Sequence, residues 1–227
     1  MSNTLSRTEL LIGTEKLNKL KNATVMVVGC GAVGSFAIEA LARSGVGNII
    51  LIDFDKIEET NINRQLFALN STLNTYKTAV ARERIADINN AIKVTELDIF
   101  FDSDTKLPYH PDFVIDAIDT VKSKIALYKW CRANNVPFIS SMGAARKTDP
   151  TKIKIDKISR TFACPLAARI RKLVRDERLG DFPVVFSTET AAAHSTNDKN
   201  FGSIVTVTGT FGLVAANYAI QYIINKN

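Results

Sequence analysis

The chain is poor in the residues that staple small or secreted folds. Among 227 residues there are three cysteines, Cys30, Cys131 and Cys164, and two histidines, His110 and His194. No two of them have zinc-ligand spacing, so no zinc is expected, and an odd, sparse cysteine count argues against a disulfide framework. No apolar run reaches the ~18–20 uninterrupted residues of a membrane span. The segment Met1–Gly13 lacks a basic stretch followed by an apolar core, so no secretory signal is expected. There is no internal repeat, low-complexity tract or clear linker. The expectation is one cytoplasmic domain, 1–227, with no membrane partner. At 46% hydrophobic and 23% charged residues, the composition is that of an ordinary packed domain.

Acidic residues are scarce in one half only. Residues 1–110 hold 12 Lys/Arg and 13 Asp/Glu, whereas residues 111–227 hold 17 and 10. Most of the excess lies in 121–178, with 15 basic and 4 acidic residues. A neutral half joined to a basic half suggests a polyanionic partner, RNA first among them. A solvated basic face without a ligand has the same composition.

What the sequence has is alternation. Strand-like runs at Thr24–Val28, Asn48–Ile52, Val94–Leu97, Phe113–Ala117 and Pro137–Ser141 are separated by helix-like runs at Gly34–Arg43, Lys77–Asn89 and Lys122–Asn134. That order predicts an α/β, Rossmann-like, doubly wound and mainly parallel sheet. After Ser141 the pattern turns irregular and partly antiparallel. Ile153–Ile158 alternates as a half-exposed strand would, and Leu166–Arg178 is a basic helix. Val184–Phe186 is a short strand, and Ser187–Asn200 a loop. Gly202–Thr210 reads as strand entering a helix, and Phe211–Ile224 as a C-terminal helix. The expected division is a nucleotide-binding core at 1–141 and a basic, substrate-binding half at 142–227.

Gly29, Gly31 and Gly34 follow the first strand and open a helix, with Asp53 nineteen residues further on at the end of the second strand. Glycines there permit a tight turn and bring phosphates to backbone N–H groups, and the aspartate accepts from ribose hydroxyls. A dinucleotide enzyme needs nothing more. This chain adds Asn61, Arg64 and Gln65, then Lys77 at a helix start, where a cation is unfavourable unless an anion is near. Asp116 and Asp119 flank the end of the fourth strand. Asp119 is the better Mg²⁺ ligand candidate, although it would also serve as a helix N-cap. Together these residues read as a triphosphate cradle rather than a nicotinamide site.

The set resembles the adenylating domain of the ubiquitin-activating-enzyme superfamily. The resemblance runs from Arg7 to about Ser141 through Ala42-Arg43-Ser44-Gly45-Val46-Gly47, Asp53-Phe54-Asp55, Asn61-x-x-Arg64-Gln65 and Asp116-x-x-Asp119. It implies ATP and Mg²⁺ as cofactors, with Asp53 on the ribose and Asp55 among the cofactor-binding residues. It also implies phosphate contacts by Asn61, Arg64 and Lys77, metal binding by Asp119, and a homodimer in which Arg7 acts in trans. The second half lacks the two CxxC zinc pairs of sulfur-carrier activators. It is similar instead to the tRNA threonylcarbamoyladenosine dehydratase branch, through Asp149-Pro150-Thr151, Pro165-Leu166-Ala167-Ala168, Phe186-Ser187-Thr188-Glu189 and Thr210-Phe211-Gly212.

That branch implies ATP-dependent cyclisation of a modified adenosine beside the anticodon, with tRNA as partner. Arg169, Arg171, Lys172, Arg175 and Arg178 would contact the RNA, with Arg146 and Lys147 nearer the site. The alternative is adenylation of a ubiquitin-like sulfur carrier. Some members of the branch carry a cysteine shortly before the segment matching Phe201-Gly202. This chain has none, and its residues 180–200 look shortened. Cys164 stands before a helix, where a thiol is either activated or merely packed. The sequence leaves open a bound monovalent cation and a sulfur-transfer protein partner.

Overall fold

The computed structural model describes residues 4–192 and 201–226. Its centre is a seven-stranded sheet in the order β3-β2-β1-β4-β5-β7-β6. The strands are β1 (Thr24–Val28), β2 (Asn48–Ile52), β3 (Lys93–Leu97), β4 (Phe113–Asp116), β5 (Phe138–Ser141), β6 (Ile153–Lys157) and β7 (Pro183–Ser187). All neighbours run parallel except β6, which pairs antiparallel with β7 in the register Ile155↔Val185. The expected mainly parallel sheet with an antiparallel element in the second half is what forms.

Period-two alternation divides the core in two. Val25 and Val27 of β1 face α2 (Thr14–Asn22), α3 (Gly34–Ser44), α4 (Lys77–Ile88) and α7 (Val205–Asn225). Met26 and Val28 face α5 (Val121–Ala133) and α6 (Pro165–Asp176) on the other side. Because the strands are buried on both faces, they read as continuous apolar runs rather than alternating ones. The parallel strands all finish at one edge. The residues following Val28, Ile52, Asp116, Ser141 and Ser187 therefore lie along one edge of the sheet, the edge where open α/β sheets bind ligands.

Three elements differ from expectation. The helix α1 (Ser6–Ile12) precedes α2, and the two break at Gly13, where φ is +83°; the sequence reading placed no element there. The expected strand at Gly202–Thr210 is absent, and α7 begins at Val205. β-Branched residues lower helix propensity by only about 0.5 kcal/mol each. Burial of Val207 and Phe211 contributes ~1.5–3 kcal/mol apiece and outweighs that cost. Close packing of α7 on α3 also requires its glycines, since a Cβ at Gly212 would stand 2.2 Å from the Val33 carbonyl oxygen. Among the described residues α7 is the one helix long and apolar enough to cross a membrane, yet 56% of its most apolar 18-residue stretch is buried inside the fold.

The third difference is α6, which stops at Asp176 rather than Arg178. The Leu179 N–H returns to the Val174 carbonyl at 2.9 Å and the Arg178 N–H to that of Arg175 at 3.2 Å. This is a Schellman closure, with Arg178 in the left-handed region at φ +54°. Arg178 therefore does not share a helical face with Arg171 and Arg175. Of the expected loop Ser187–Asn200, residues 193–200 lie outside the described residues.

Candidate active site

The glycine loop is shaped by its own backbone. The Gly29 N–H donates to the Ile52 carbonyl at 2.8 Å, with φ at +95°. A Cβ on Gly29 would stand 2.7 Å from the Ala117 oxygen, and one on Gly34 would stand 1.7 Å from the Gly29 oxygen. Neither position tolerates a side chain. Gly31 is different: its nearest neighbour would be Gln65 Nε2 at 3.8 Å, an ordinary contact. The protein itself does not demand glycine there, so the missing side chain leaves room in the crevice.

Asp53 leaves β2 buried, its Oδ2 accepting from the Cys30 N–H at 2.7 Å and its Oδ1 from the Asp55 N–H at 2.9 Å. Burial pushes its carboxyl above the ordinary value, and the nearby Lys77 charge opposes that rise. Burial, reinforced by the Asp53 charge, pushes the Cys30 thiol well up, so Cys30 is a packed neutral group. Lys77, buried at the first position of α4, pairs with Asp55 at 2.7 Å across 22 residues of sequence. Asp55 thereby neutralises the cation at the unfavourable helix end and fixes the ammonium at the exit of β2.

The segment after β2 folds back over the glycine loop. Asn61 ends a 3₁₀ turn, Glu59–Asn61, and its Oδ1 accepts from the Glu58 N–H. The Arg64 guanidinium donates to the Thr60 carbonyl at 2.6 Å and to Asn63 Oδ1 at 2.8 Å. The Leu66 N–H is held by Ser35 Oγ at 3.1 Å, which brings Gln65 beside Gly31. Gln65 thus stands beside Gly31, and Lys77 lies near enough to Asp53 and Cys30 for its charge to act on both, whereas Asn61 and Arg64 are held by hydrogen bonds within their own segment.

The two aspartates at and after the end of β4 take opposite roles. Asp116 is wholly buried and accepts from Lys124 Nζ at 2.8 Å, Tyr128 Oη at 3.0 Å, Ser140 Oγ at 2.5 Å and the Ile118 N–H at 3.0 Å. Burial, then the Asp116 charge, raises the Tyr128 hydroxyl well above its usual pKa, so it acts as a donor. Asp119 is exposed, and among the described residues it has no hydrogen-bond or ion-pair partner. The N-cap of α5 is Thr120, without a side-chain cap bond, so Asp119 is not occupied with capping. It lies two residues past Ala117, which packs on Gly29. Sequence reasoning missed Lys124, Tyr128 and Ser140. Only the i, i+4 spacing of the first two could have signalled them.

The basic residues fall into two groups. Arg169, Lys172, Arg175 and Arg178 are exposed, and Arg171 is tethered to the Thr161 carbonyl at 2.7 Å. Arg171, Lys172, Arg175 and Arg178 line a groove of about 850 Å³ along α6. Lys147 is not with them. It is buried, donating to the carbonyls of Ala163, Ser187 and Glu189, and burial pulls its pKa down while Cys164 and Glu189 resist. Arg146 donates to the Ala192 carbonyl, and its backbone N–H bonds to the Gly202 carbonyl. Arg7 stands exposed on α1 beside Leu10 and Leu11, which are 81% and 83% exposed. Cys164 is buried, and its Sγ accepts from the Ala167 N–H at 3.4 Å at the start of α6. Among the described residues no three His, Cys, Asp or Glu side chains cluster.

Against this geometry, the ThiF family model matches residues 5–227. The tRNA threonylcarbamoyladenosine dehydratase of Bacillus subtilis is 49% identical over 193 residues, covering 83% of this chain and 76% of that protein. The crystal structure of Escherichia coli tRNA N6-threonylcarbamoyladenosine dehydratase in complex with ATP has a TM-score of 0.92 and 37% identity. It covers 98% of this chain and 94% of that one. The molybdopterin-synthase adenylyltransferase of Salmonella typhimurium is 38% identical over 128 residues, which is 56% of this chain and 51% of that protein.

Proposed function

The chain belongs to the ThiF family, and from that membership we propose that it dehydrates threonylcarbamoyladenosine in tRNA in an ATP-dependent reaction. It is an adenylating, tRNA-modifying enzyme. The observation that carries the reading is the Asp55-paired Lys77 beside Asp53, with Gln65 on Gly31 and a free Asp119 two residues past Ala117, which packs on Gly29. A nicotinamide dehydrogenase has no use for those three groups. An enzyme that must hold and cleave a triphosphate does. The similarity to the Escherichia coli dehydratase covers 96% of this chain, whereas that to the molybdopterin-synthase adenylyltransferase covers 56%.

The threonyl carboxylate attacks the α-phosphorus of ATP and expels pyrophosphate, giving an acyl-adenylate. The neighbouring carbamoyl group then closes on the activated carbonyl and releases AMP. The nucleoside loses the elements of water, its carboxylate oxygen leaving on AMP. Because the substrate supplies its own nucleophile, ring closure draws on intramolecular effective molarity and needs no protein thiol. The protein's share is positioning and charge neutralisation. Asp53 accepts from the ribose hydroxyls, and backbone N–H groups of the glycine loop receive phosphate oxygens. Asn61, Arg64, Gln65 and Lys77 hold the triphosphate.

Asp119 suits Mg²⁺. It is a free carboxylate at the ligand edge, and phosphate oxygens and water would complete the shell, since no cluster among the described residues does so. The metal would supply charge neutralisation of the leaving pyrophosphate.

The tRNA backbone lies along α6 on Arg169, Arg171, Lys172 and Arg175, with Arg178 following in the Schellman turn and Arg146 nearer the crevice. Lys147 contributes by fixing the carbonyls around it. The functional unit is a homodimer in the cytoplasm, with the exposed Leu10 and Leu11 against a second copy and Arg7 reaching the partner's ATP. Residues 1–141 serve the nucleotide and 142–227 the RNA.

The test is mass spectrometry of tRNA nucleosides after incubation with protein, ATP and Mg²⁺, with Asp119→Ala as control. Conversion of threonylcarbamoyladenosine to a species lighter by one water, absent in the control, is the expected result. No mass change, with ATP–pyrophosphate exchange appearing only when a sulfur-carrier protein is added, would overturn it.

A further inference from the structure

A second cavity, of about 380 Å³, lies between the start of α6 and the loop after β5, with Arg146, Ala163, Cys164, Ala168 and Arg171 among its walls. Its volume falls in the ~300–1,000 Å³ range of small-ligand sites. Nothing in the adenylation chemistry uses it.

Two of its wall residues hold left-handed backbone without being glycine, Arg146 at φ +62° and Ala163 at φ +52°. Such conformations cost of order 1 kcal/mol and concentrate where geometry serves a ligand. Both guanidiniums are already oriented. Arg171 is anchored on the Thr161 carbonyl and hydroxyl at 2.7 and 2.5 Å, and Arg146 on the Ala192 carbonyl at 2.6 Å, with the Phe201 ring 5.6 Å from its guanidinium carbon. Each anchor occupies only part of a five-donor group. The remaining walls are small, and all but Thr190 are apolar.

Two connections place this cavity. Ala168 and Arg171 line both it and the basic groove along α6, so the two spaces adjoin. Toward the nucleotide crevice, Gly202 accepts from the Arg146 N–H at 2.9 Å, and the next residue, Ser203, accepts from Asn63 Nδ2 at 3.2 Å. Two consecutive residues therefore tie the cavity wall to the residue preceding Arg64.

We infer that this cavity receives a nucleotide unstacked from a single-stranded RNA loop, with its base between small walls and an arginine plane, and its phosphate on Arg171. Single-stranded loops are recognised by splaying bases out onto planar groups, and enzymes acting on bases take them out of the stack. Continuity with a basic groove points to one residue of a polyanion rather than a free anion. The inference rests on the RNA reading above and gives it a specific receptor.

The test uses an anticodon stem-loop RNA with 2-aminopurine at the loop nucleotides flanking the substrate adenosine. Its fluorescence should rise on binding the wild-type protein. Ala168→Trp, which fills the cavity, should abolish the rise and weaken binding about tenfold, while ATP affinity measured without RNA stays unchanged. Arg171→Met, which removes the phosphate partner without filling the space, should reduce the rise as well and guards against a misfolded tryptophan variant. An undiminished rise in both variants overturns the cavity assignment and leaves the RNA reading standing. An Ala168-dependent signal from free 2-aminopurine riboside would make the occupant a free nucleoside and also overturn it. No RNA binding by the wild type would overturn the RNA reading itself.

Discussion

Asp116 and Lys124 form an ion pair 2.8 Å long in which neither side chain has any solvent exposure. The ammonium also donates to the Ser141 carbonyl at 2.8 Å, so the pair joins the ends of β4 and β5. The second carboxylate oxygen accepts from the Ile118 N–H, which sets the turn leading to Asp119. The pair is thus the foundation of the loop that carries Asp119.

Removing one partner strands a buried charge, at a cost of about 3–5 kcal/mol, whereas removing both is often near neutral. Lys124→Met and Asp116→Asn should each lower the melting temperature by roughly 10 °C. The double variant should lose much less than the two losses combined. Thermal melts of the four proteins make the double-mutant cycle, and additive losses would show that the two side chains do not act as a pair.

The glycine loop offers a comparison between neighbours. Gly34→Ala places a Cβ 1.7 Å from a backbone oxygen, so the loop must open and ATP affinity should fall about a hundredfold. Gly31→Ala meets nothing closer than 3.8 Å. It should melt like the wild type, so any loss of ATP affinity there reports crowding of the ligand itself. Calorimetric titration with ATP separates the two, and equal melting losses at both positions would contradict the geometry.

Much of this was legible in the sequence because it rests on local rules. Strand–helix alternation gave the parallel sheet, and glycine spacing with Asp53 gave the nucleotide edge. Asn61, Arg64 and Lys77 stood out because such residues after the second strand serve no dinucleotide. The rest depended on tertiary placement. The β-branched start of α7 read as strand because the packing of Gly209 and Gly212 on α3 is invisible to a propensity scale. In the sequence Lys124 is one of the basic excess in 121–178 and Lys147 a candidate RNA contact, yet both are buried among carbonyls or a carboxylate, a fate that residue type alone predicts poorly. The helix end at Asp176 was missed because Arg178, not glycine, occupies the left-handed position.

Cys164 occupies the N-cap position of α6 and its sulfur takes the Ala167 N–H, which is the bond a capping hydroxyl makes. Cys164→Ser should therefore keep both stability and turnover of modified tRNA. Cys164→Ala removes the cap and should cost ~0.5–1 kcal/mol while leaving the chemistry intact. Turnover abolished in the serine variant, with its melting temperature unchanged, would establish a chemical role for the thiol instead.

Glu39 links α3 to α4 by accepting from Arg84 Nη2 at 2.9 Å and Nε at 3.0 Å, and from Arg43 Nε at 2.7 Å. Burial pushes its carboxyl up, but the two guanidiniums outweigh burial and hold it below its ordinary value. A carboxylate whose folded pKa is depressed stabilises the fold above its unfolded pKa, near 4.3, and that contribution is lost as pH falls through the lower folded value. Glu39→Gln should accordingly melt below the wild type at pH 7, by an amount equivalent to about 1 kcal/mol or less because the arginines are solvent-screened. The gap should be constant down to about pH 5 and then close as acid protonates the wild-type carboxyl. High salt should narrow it at pH 7 as well. A gap that stayed the same at pH 3 as at pH 7 would mean that the glutamate stabilises the α3–α4 junction by packing alone, and that its charge is immaterial to the fold.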